Sequence, residues 1–285
     1  MIAITGAGGK TGLATIQALT ARGAQVRGLI HRQEATNTLL AAGATEVIVG
    51  TMEDATTLER VLQGAHALYH ICPNMHPREV EIGSMMLAVA KHAGVEHFVY
   101  HSVLHPQTVA MPHHWQKMLM EDRIFASGLP FTILQPTAYL QNLSAYWPAV
   151  CTTGEFSVPY PVTTRLSLVD VREVAEVAAR VLTEAGHAGA TYELVGTLPL
   201  SQQEVAAAMA AHLRRPVTAR ARSLDVWEQQ AQANGLSDYA VETLRKMFEY
   251  YAAFGLVGNP NVLRWLLGRA PLSLAEFIGQ LEQVQ

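Results

Sequence analysis

The sequence predicts an α/β protein in which a doubly wound parallel sheet is joined to a smaller, mostly helical C-terminal domain. Strand-like and helix-like segments alternate through the first half of the chain, which is typical of βαβ units. A glycine-rich turn at 5–12 follows an apolar strand and leads into an amphipathic helix. From Ser201 onward the pattern is helical, and Ser201 with Glu204 predicts a capping box.

The predicted elements follow in a regular order. Strands are expected at 2–5, 25–30, 46–49, 67–71, 96–101 and 131–134, and helices at 13–21, 34–42, 55–62, 79–93 and 115–127. A loop-rich excursion, a helix and a further strand are then expected at 136–161, 168–182 and 192–195.

These elements predict two domains. The first covers 1–135, and 165–197 return to it, while 136–164 and 198–285 form the smaller domain. Aromatic residues in the second half either build the core of the smaller domain or wall an apolar pocket between the domains. They include Trp227, Tyr239, Phe248, Tyr251, Phe254 and Trp265.

The composition describes an ordinary globular protein. The chain has 285 residues, of which 49% are hydrophobic, and a net charge of −4. No apolar run is long enough to predict a transmembrane helix, and the N-terminus lacks the basic flank of a signal peptide. Because Cys72 and Cys151 are the only cysteines, we expect a reducing, cytoplasmic environment. The basic clusters are too short to predict nucleic-acid binding.

The glycine turn predicts a dinucleotide site. Gly6 suits the tight turn after the strand, Gly9 allows close approach of a pyrophosphate, and Gly12 allows the helix to pack closely on the sheet. The amides and dipole of the helix N-terminus attract phosphate. The candidate residues in this turn are Gly6, Gly8, Gly9, Lys10, Thr11 and Gly12.

The end of the second strand predicts NADP(H) as the cofactor, with NAD(H) less favoured. About 20 residues beyond the glycine turn, folds that bind NAD place an Asp or Glu on the adenosine ribose. Here the chain has His31 and Arg32, and Lys10 lies in the neighbouring turn. Arg32 can bind a 2′-phosphate through charge-assisted hydrogen bonds, although Glu34 lies nearby in the sequence.

Other loops at the carboxyl ends of the strands should also meet the cofactor. The candidates there are Thr51, Met52, Ile71, Cys72, Pro73, Ser102, Pro136, Thr137 and Tyr139.

Several spaced segments together resemble the NmrA-like group of atypical short-chain dehydrogenase/reductases. The resemblance implies a Rossmann domain with a small helical domain, in a family of NAD(P)H-using reductases and inactive redox-sensing regulators. The segments are Gly6-Ala-Gly-Gly-Lys-Thr-Gly12, Val26-Arg-Gly-Leu-Ile-His-Arg32, Val49-Gly50 with Glu53-Asp54, Gly94-Val-Glu-His-Phe-Val-Tyr-His-Ser102, Ser127-Gly-Leu-Pro-Phe-Thr-Ile-Leu134 and Val169-Asp-Val-Arg-Glu-Val-Ala175.

The resemblance also points to the catalytic candidates. Short-chain dehydrogenases use a Ser, then a Tyr with a Lys four residues later. This chain has Ser102 and Lys117, but His113 takes the Tyr place. Lys117 is expected to bind the nicotinamide ribose; the alternative is a surface lysine paired with Glu121.

The proton donor is left open by the sequence. His113 could donate a proton because the pKa of a histidine is ordinarily near neutral, or it could be a solvated loop residue. Tyr139 is a further candidate, whereas Tyr100 alternates within a strand and is expected to pack. A site with a hydride source and no dedicated acid suits quinones, conjugated alkenes and cationic dyes.

No metal site is predicted, since His101 and His105 straddle a strand end and no acidic or Cys ligand joins them at a recognisable interval.

Three functions remain open. The leading one is an NADPH-dependent reductase of a small apolar or aromatic acceptor. The second is a non-catalytic NADP(H)-sensing regulator, which would act through a protein partner or a homodimer. The third is an isomerase or epimerase that uses bound cofactor.

Overall fold

The computed structural model of the protein describes residues 1–281. Its strands are β1 (Ile2–Ile4), β2 (Val26–Ile30), β3 (Glu46–Val49), β4 (Ala67–His70), β5 (His97–His101), β6 (Phe131–Pro136), β7 (Ala138–Tyr139), β8 (Glu155–Val158), β9 (Arg165–Leu166), β10 (Leu168–Val169), β11 (Ala190–Leu194), β12 (Leu200–Ser201) and β13 (Thr218–Ala221).

The helices begin and end close to the predicted positions in the first half of the chain. They are α1 (Lys10–Ala21), α2 (Thr36–Ala41), α3 (Ala55–Leu62), α4 (Glu79–His92), α5 (Pro112–Phe125), α6 (Trp147–Thr153), α7 (Val171–Thr183), α8 (Gln202–Leu213), α9 (Leu224–Ala233), α10 (Asp238–Phe254), α11 (Asn261–Leu267) and α12 (Leu274–Leu281). Short 3₁₀ helices form at Gln33–Ala35 and Leu140–Ala145.

The central sheet confirms the predicted doubly wound fold. Within residues 1–281 it contains seven strands in the order β11-β6-β5-β4-β1-β2-β3. Neighbouring strands from β6 to β3 are parallel. After β1 and β2 the chain adds β3 at one edge and then crosses back to place β4 on the other side of β1. Such a switch point leaves a crevice at the carboxyl ends of β1 and β4.

The chain divides into two compact units, and the first contains most of this sheet. It comprises Met1–Gln107, His113–Gln135 and Val171–Tyr192. Helices α3, α4 and α5 contribute to one apolar core, while α1 packs against α7. That core contains Leu58, Val61, Leu68, Met86, Ala90, Phe98, Tyr100, Met120, Ile124 and Ile133. Burial of each large apolar side chain contributes about 1.5–3 kcal/mol.

The second unit comprises Thr108–Pro112, Pro136–Asp170 and the chain from Glu193 onward. Strands β8 and β13 pair in parallel, and α8 packs against both β13 and α12. Helices α9 and α10 form a small core of their own around Trp227, Ala231 and Val241. The predicted capping box is present, because the Ser201 hydroxyl accepts from the Glu204 amide while the Glu204 carboxylate accepts from the Ser201 amide.

Several local predictions for the second half were wrong. The stretch 136–161 is structured, since it contains α6 and β8. The helix expected from 168 begins at Val171, because Leu168 and Val169 pair with β7. Strand β13 interrupts a region expected to be helical. Of the stretch 165–197, the first unit takes Val171–Tyr192, and the flanking residues belong to the second unit.

The helices in residues 1–281 fall short of the length and apolar character needed to cross a bilayer. The same residues bring no three His, Cys, Asp or Glu side chains together as metal ligands.

Gly12→Ala should destabilise the protein. A Cβ at Gly12 would lie 2.6 Å from both the Ala7 Cα and the Gly6 carbonyl oxygen, and neither backbone atom can swing away. We expect a loss of about 1–3 kcal/mol in the free energy of unfolding, measured by urea denaturation. Gly279→Ala in α12 is the control, because a Cβ there meets nothing within 4 Å. Equal stability of the two variants would contradict the close packing at Gly12.

Candidate active site

The glycine turn brings the N-terminus of α1 to the crevice edge of the sheet. Gly6 has a φ of 60°, and a Cβ there would lie 2.7 Å from the Ile71 carbonyl oxygen. Gly9 is the N-cap of α1, and no side chain caps this helix end. The N-cap residue therefore donates no side-chain cap to the amides of the first turn, an arrangement that favours binding of a phosphate.

Cationic side chains lie exposed beside this turn. A Cβ built at Gly8 would lie 3.4 Å from the Ile30 Cγ2 atom, so the turn faces the end of β2. Arg32 follows that strand, and Arg32 and Lys10 are both exposed. Among residues 1–281 neither of these two cations forms an ion pair with a carboxylate. Both cations are therefore available to an anion. His31 is also exposed.

The loop after β4 lies directly beside the glycine turn. The Thr5 hydroxyl donates to the Ile71 carbonyl oxygen at 3.2 Å and accepts from the Ile71 amide at 2.9 Å. Cys72 is buried, and burial raises the pKa of its thiol to about 12. The thiol therefore remains protonated and unreactive at neutral pH. Pro73 is exposed.

The remaining cofactor candidates are divided between the two units. Thr51 and Met52 follow β3, and Met52 packs on the core of the first unit. Pro136, Thr137 and Tyr139 belong to the second unit. There the Thr137 hydroxyl donates to the Ser167 carbonyl oxygen at 2.8 Å.

Lys117 is buried in an ion pair within the first unit. Helix α5 carries it four residues after His113, so both side chains lie on the same face of the helix. The Lys117 Nζ atom donates to Glu79 Oε1 at 2.6 Å and to the His101 carbonyl oxygen at 3.0 Å. Lys117 is 7% exposed and Glu79 1%. The alternative of a surface lysine paired with Glu121 was therefore wrong.

Glu79 also accepts from Tyr100. The Tyr100 hydroxyl donates to Glu79 Oε1 at 2.7 Å, and the Lys117 Nζ atom lies 5.2 Å from the centre of the Tyr100 ring. Tyr100 is fully buried, and burial together with the Glu79 carboxylate holds the pKa of its phenol well above the usual value. As expected, Tyr100 packs in the core. It is not placed to protonate a substrate.

Ser102 is hydrogen-bonded to a second buried carboxylate, that of Glu121. Its hydroxyl donates to Glu121, and the Gln135 amide donates to the two oxygens of that carboxylate at 2.9 and 3.1 Å. Burial raises the pKa of Glu121. The Ser102 hydroxyl proton is thus committed to Glu121, which leaves its oxygen to act as an acceptor.

His113 occupies a buried position in the Tyr place. Burial, with smaller contributions from His114 and Lys117, lowers the pKa of His113 to about 3. The imidazole is therefore neutral at pH 7. Its Nδ1 atom has no hydrogen-bond partner among the described residues. The neighbouring His114 Nδ1 atom lies 3.2 Å from the His105 carbonyl oxygen. His113 can donate or accept one hydrogen bond, but it carries no charge to act as a strong acid.

Glu79 was not predicted from the sequence as a site residue. An acidic residue in the first turn of a helix is ordinarily explained by the helix dipole, so Glu79 at the start of α4 gave no sign of a partner. The one available signal was Lys117, because a buried lysine needs a counter-charge. Glu121 was considered only as a surface partner of that lysine.

His113→Gln should make the protein less sensitive to acid. In the unfolded chain the imidazole takes up a proton below about pH 6.5, whereas in the folded protein its pKa is about 3. Unfolding therefore binds a proton between these values, so stability falls as the pH drops from about 6.5 toward 3. From pH 7 to pH 5 this one group costs about 2 kcal/mol.

Urea unfolding at pH 7 and pH 5 measures the effect. We expect the loss of stability between the two pH values to be smaller in His113→Gln than in the wild type. Gln116→Ala, an uncharged change in the same helix, is the control. An identical pH dependence in His113→Gln and wild type would mean that His113 is not buried in its neutral form.

The fold and this site define a dinucleotide-binding α/β protein of the Rossmann class. A model of the NmrA-like family matches residues 1–280. The chain therefore belongs to the NmrA-like family, as its sequence predicts.

Known proteins resemble the chain over its whole length. An NAD(P)H azoreductase from Xenophilus azovorans is 28% identical over 97% of this chain and 96% of that protein. Quinone oxidoreductase 2 from Escherichia coli K12 is 28% identical over 100% of this chain and 99% of that protein. An NADPH-dependent quinone oxidoreductase from Escherichia coli, solved with NADPH, superposes with a TM-score of 0.87 at 27% identity, covering 99% and 100% of the two chains.

A regulator shares the fold as well. The negative transcriptional regulator NmrA in complex with NADP superposes with a TM-score of 0.83, covering 99% of this chain and 95% of that chain. At 19% identity this likeness shows the fold alone. The comparisons confirm the predicted family, the Rossmann fold and an NAD(P)-dependent oxidoreductase.

Proposed function

We propose that the protein is an NADPH-dependent reductase whose acceptor is a quinone or a similarly flat, conjugated molecule. The observation that carries the proposal is Lys117, which is buried and ion-paired while a neutral histidine occupies the Tyr place. The lysine that holds the nicotinamide ribose in related enzymes is kept, but the phenol acid is not. The relatives named for azo and quinone reduction support an acceptor of this kind.

The residues of the first unit fit the cofactor. No Cβ can be added at Gly6 or Gly12 without meeting backbone, so the turn keeps the compact shape that brings the helix N-terminus toward a pyrophosphate. Arg32 and Lys10 are unpaired cations suited to the 2′-phosphate. Lys117 has three N–H groups and uses two of them on Glu79 and His101, so the third is available to a ribose hydroxyl.

The acid–base groups of the site explain the choice of acceptor. When bound, NADPH supplies a hydride, and a quinone combines that hydride with one proton to give the hydroquinone. His113 is neutral, and the Tyr100 and Ser102 hydroxyls are committed to carboxylates. No group among them is a ready acid, so the proton comes from water. Alkoxide products need stronger proton donation, which disfavours ordinary ketone reduction.

Arg32→Ala should weaken NADPH binding far more than NADH binding. Arg32 is assigned to the 2′-phosphate, which NADH lacks, and one charge-assisted hydrogen bond contributes about 1.5–3 kcal/mol. Fluorescence titration of both cofactors measures the two dissociation constants. Arg60→Ala, an exposed arginine on α3, should leave both unchanged. Equal losses for NADPH and NADH would refute the assignment of Arg32.

The wild-type protein should oxidise NADPH when a benzoquinone or naphthoquinone is added. Lys117→Met should lower kcat/KM for this reaction roughly tenfold to hundredfold, because contacts with the cofactor are lost. Absorbance at 340 nm follows the reaction. Lys91→Met, an exposed lysine on α4, is the control and should keep full activity. Tight NADPH binding without turnover across quinones, enones and cationic dyes would exclude the reductase and favour a non-catalytic sensor.

A further inference from the structure

One carboxylate oxygen joins two buried donors in the first unit. Glu79 Oε1 accepts from Lys117 Nζ at 2.6 Å and from the Tyr100 hydroxyl at 2.7 Å. The three residues come from α5, α4 and β5, so the contact ties two helices to the central sheet. Removal of Glu79 would leave both donors without this acceptor.

The Glu79 carboxylate neutralises the buried charge of Lys117. A buried ammonium is costly unless a counter-charge lies in contact with it. In a short-chain dehydrogenase of the ordinary kind, the Lys works beside a Tyr. Here His113 fills that place, and its imidazole is neutral. Glu121 is engaged with Ser102 and Gln135. Among these neighbours Glu79 is the carboxylate in contact with the ammonium.

The position of the ammonium depends on the same contact. A lysine side chain has four rotatable carbon–carbon bonds and no fixed direction of its own. Two acceptors, Glu79 Oε1 and the His101 carbonyl oxygen, fix the Nζ atom on the β5 side of α5. The Tyr100 hydroxyl in turn fixes the carboxylate. Only the third N–H of Lys117 then remains to be directed at a ligand.

We propose that Glu79 is a positioning residue for the nicotinamide half of the cofactor, acting through Lys117. The inference rests on the proposed NADPH function and extends it to a residue that does not itself touch the cofactor. Glu79 supplies the counter-charge to the Lys117 ammonium, beside which His113 replaces the usual Tyr. It also orients the free N–H of Lys117. The adenosine half, bound by Arg32 and Lys10, should not depend on Glu79.

The test separates the two halves of the cofactor. Glu79→Gln keeps the size of the side chain and removes its charge. NADPH binding should weaken roughly tenfold to hundredfold, the range expected for loss of a hydrogen bond to a charged group. Binding of 2′,5′-ADP, which carries only the adenosine half, should be unchanged. Calorimetric titration of both ligands provides a readout that does not depend on turnover.

Kinetics and matched variants complete the test. In Glu79→Gln the KM for NADPH should rise while the KM for the quinone stays constant. Tyr100→Phe keeps the ion pair and should retain most of the NADPH affinity. Glu81→Gln is the control, since Glu81 is exposed on the same helix and pairs with Arg78. If Lys117→Met is already present, adding Glu79→Gln should cause no further loss of NADPH binding.

The possible failures are distinguishable. If Glu79→Gln binds NADPH as the wild type does, or loses 2′,5′-ADP to the same degree as NADPH, the positioning role is overturned while the reductase function stands. If Glu79→Gln does not fold, Glu79→Asp keeps the charge but draws it back by one methylene, and it should weaken NADPH and spare 2′,5′-ADP. Wild-type affinity of Glu79→Asp for NADPH would equally overturn the role. A wild-type protein that binds neither ligand would instead refute the proposed function itself.

Discussion

The site is organised by the need to neutralise one buried ammonium. Lys117 is enclosed in the first unit, and its contact with Glu79 at 2.6 Å supplies the opposite charge. The histidines around it add no further positive charge. Burial holds His70, His101 and His113 neutral, with pKa values of about 3, and Lys117 contributes to each of these shifts. The Lys117–Glu79 ion pair therefore has neutral imidazoles and a neutral phenol as neighbours, which suits hydride transfer better than acid catalysis.

The central sheet places this pair in relation to the cofactor loops. β1 and β4 are neighbours at the switch point, so the glycine turn and the loop after β4 meet, with Gly6 directly against Ile71. β5 lies next to β4 and presents the His101 carbonyl oxygen to Lys117. Parallel strands thus bring loops that are far apart in sequence to one edge. The same geometry is compatible with a reductase or a sensor, and the buried ion pair favours the reductase.

Local patterns were enough to predict the fold of the first unit and to name candidate residues for its site. The glycine turn, Arg32 and the spacing of His113 and Lys117 are each visible within one short segment. Glu79 could not be found this way, because it lies 38 residues from Lys117 and the contact exists only after α4 and α5 pack on the sheet. The strands β10 and β13 were missed for a related reason. Each is short and is stabilised by a distant partner, β7 and β8 respectively, which outweighs local helical preference.

We propose above all that the protein transfers hydride from NADPH to a conjugated acceptor. The most direct measurement is rapid mixing of the NADPH-bound protein with a naphthoquinone, using NADPH and NADPH deuterated at both C4 positions. We expect a burst of absorbance loss at 340 nm that is slower with the deuterated cofactor. Absence of any loss, while NADPH remains bound, would contradict hydride transfer.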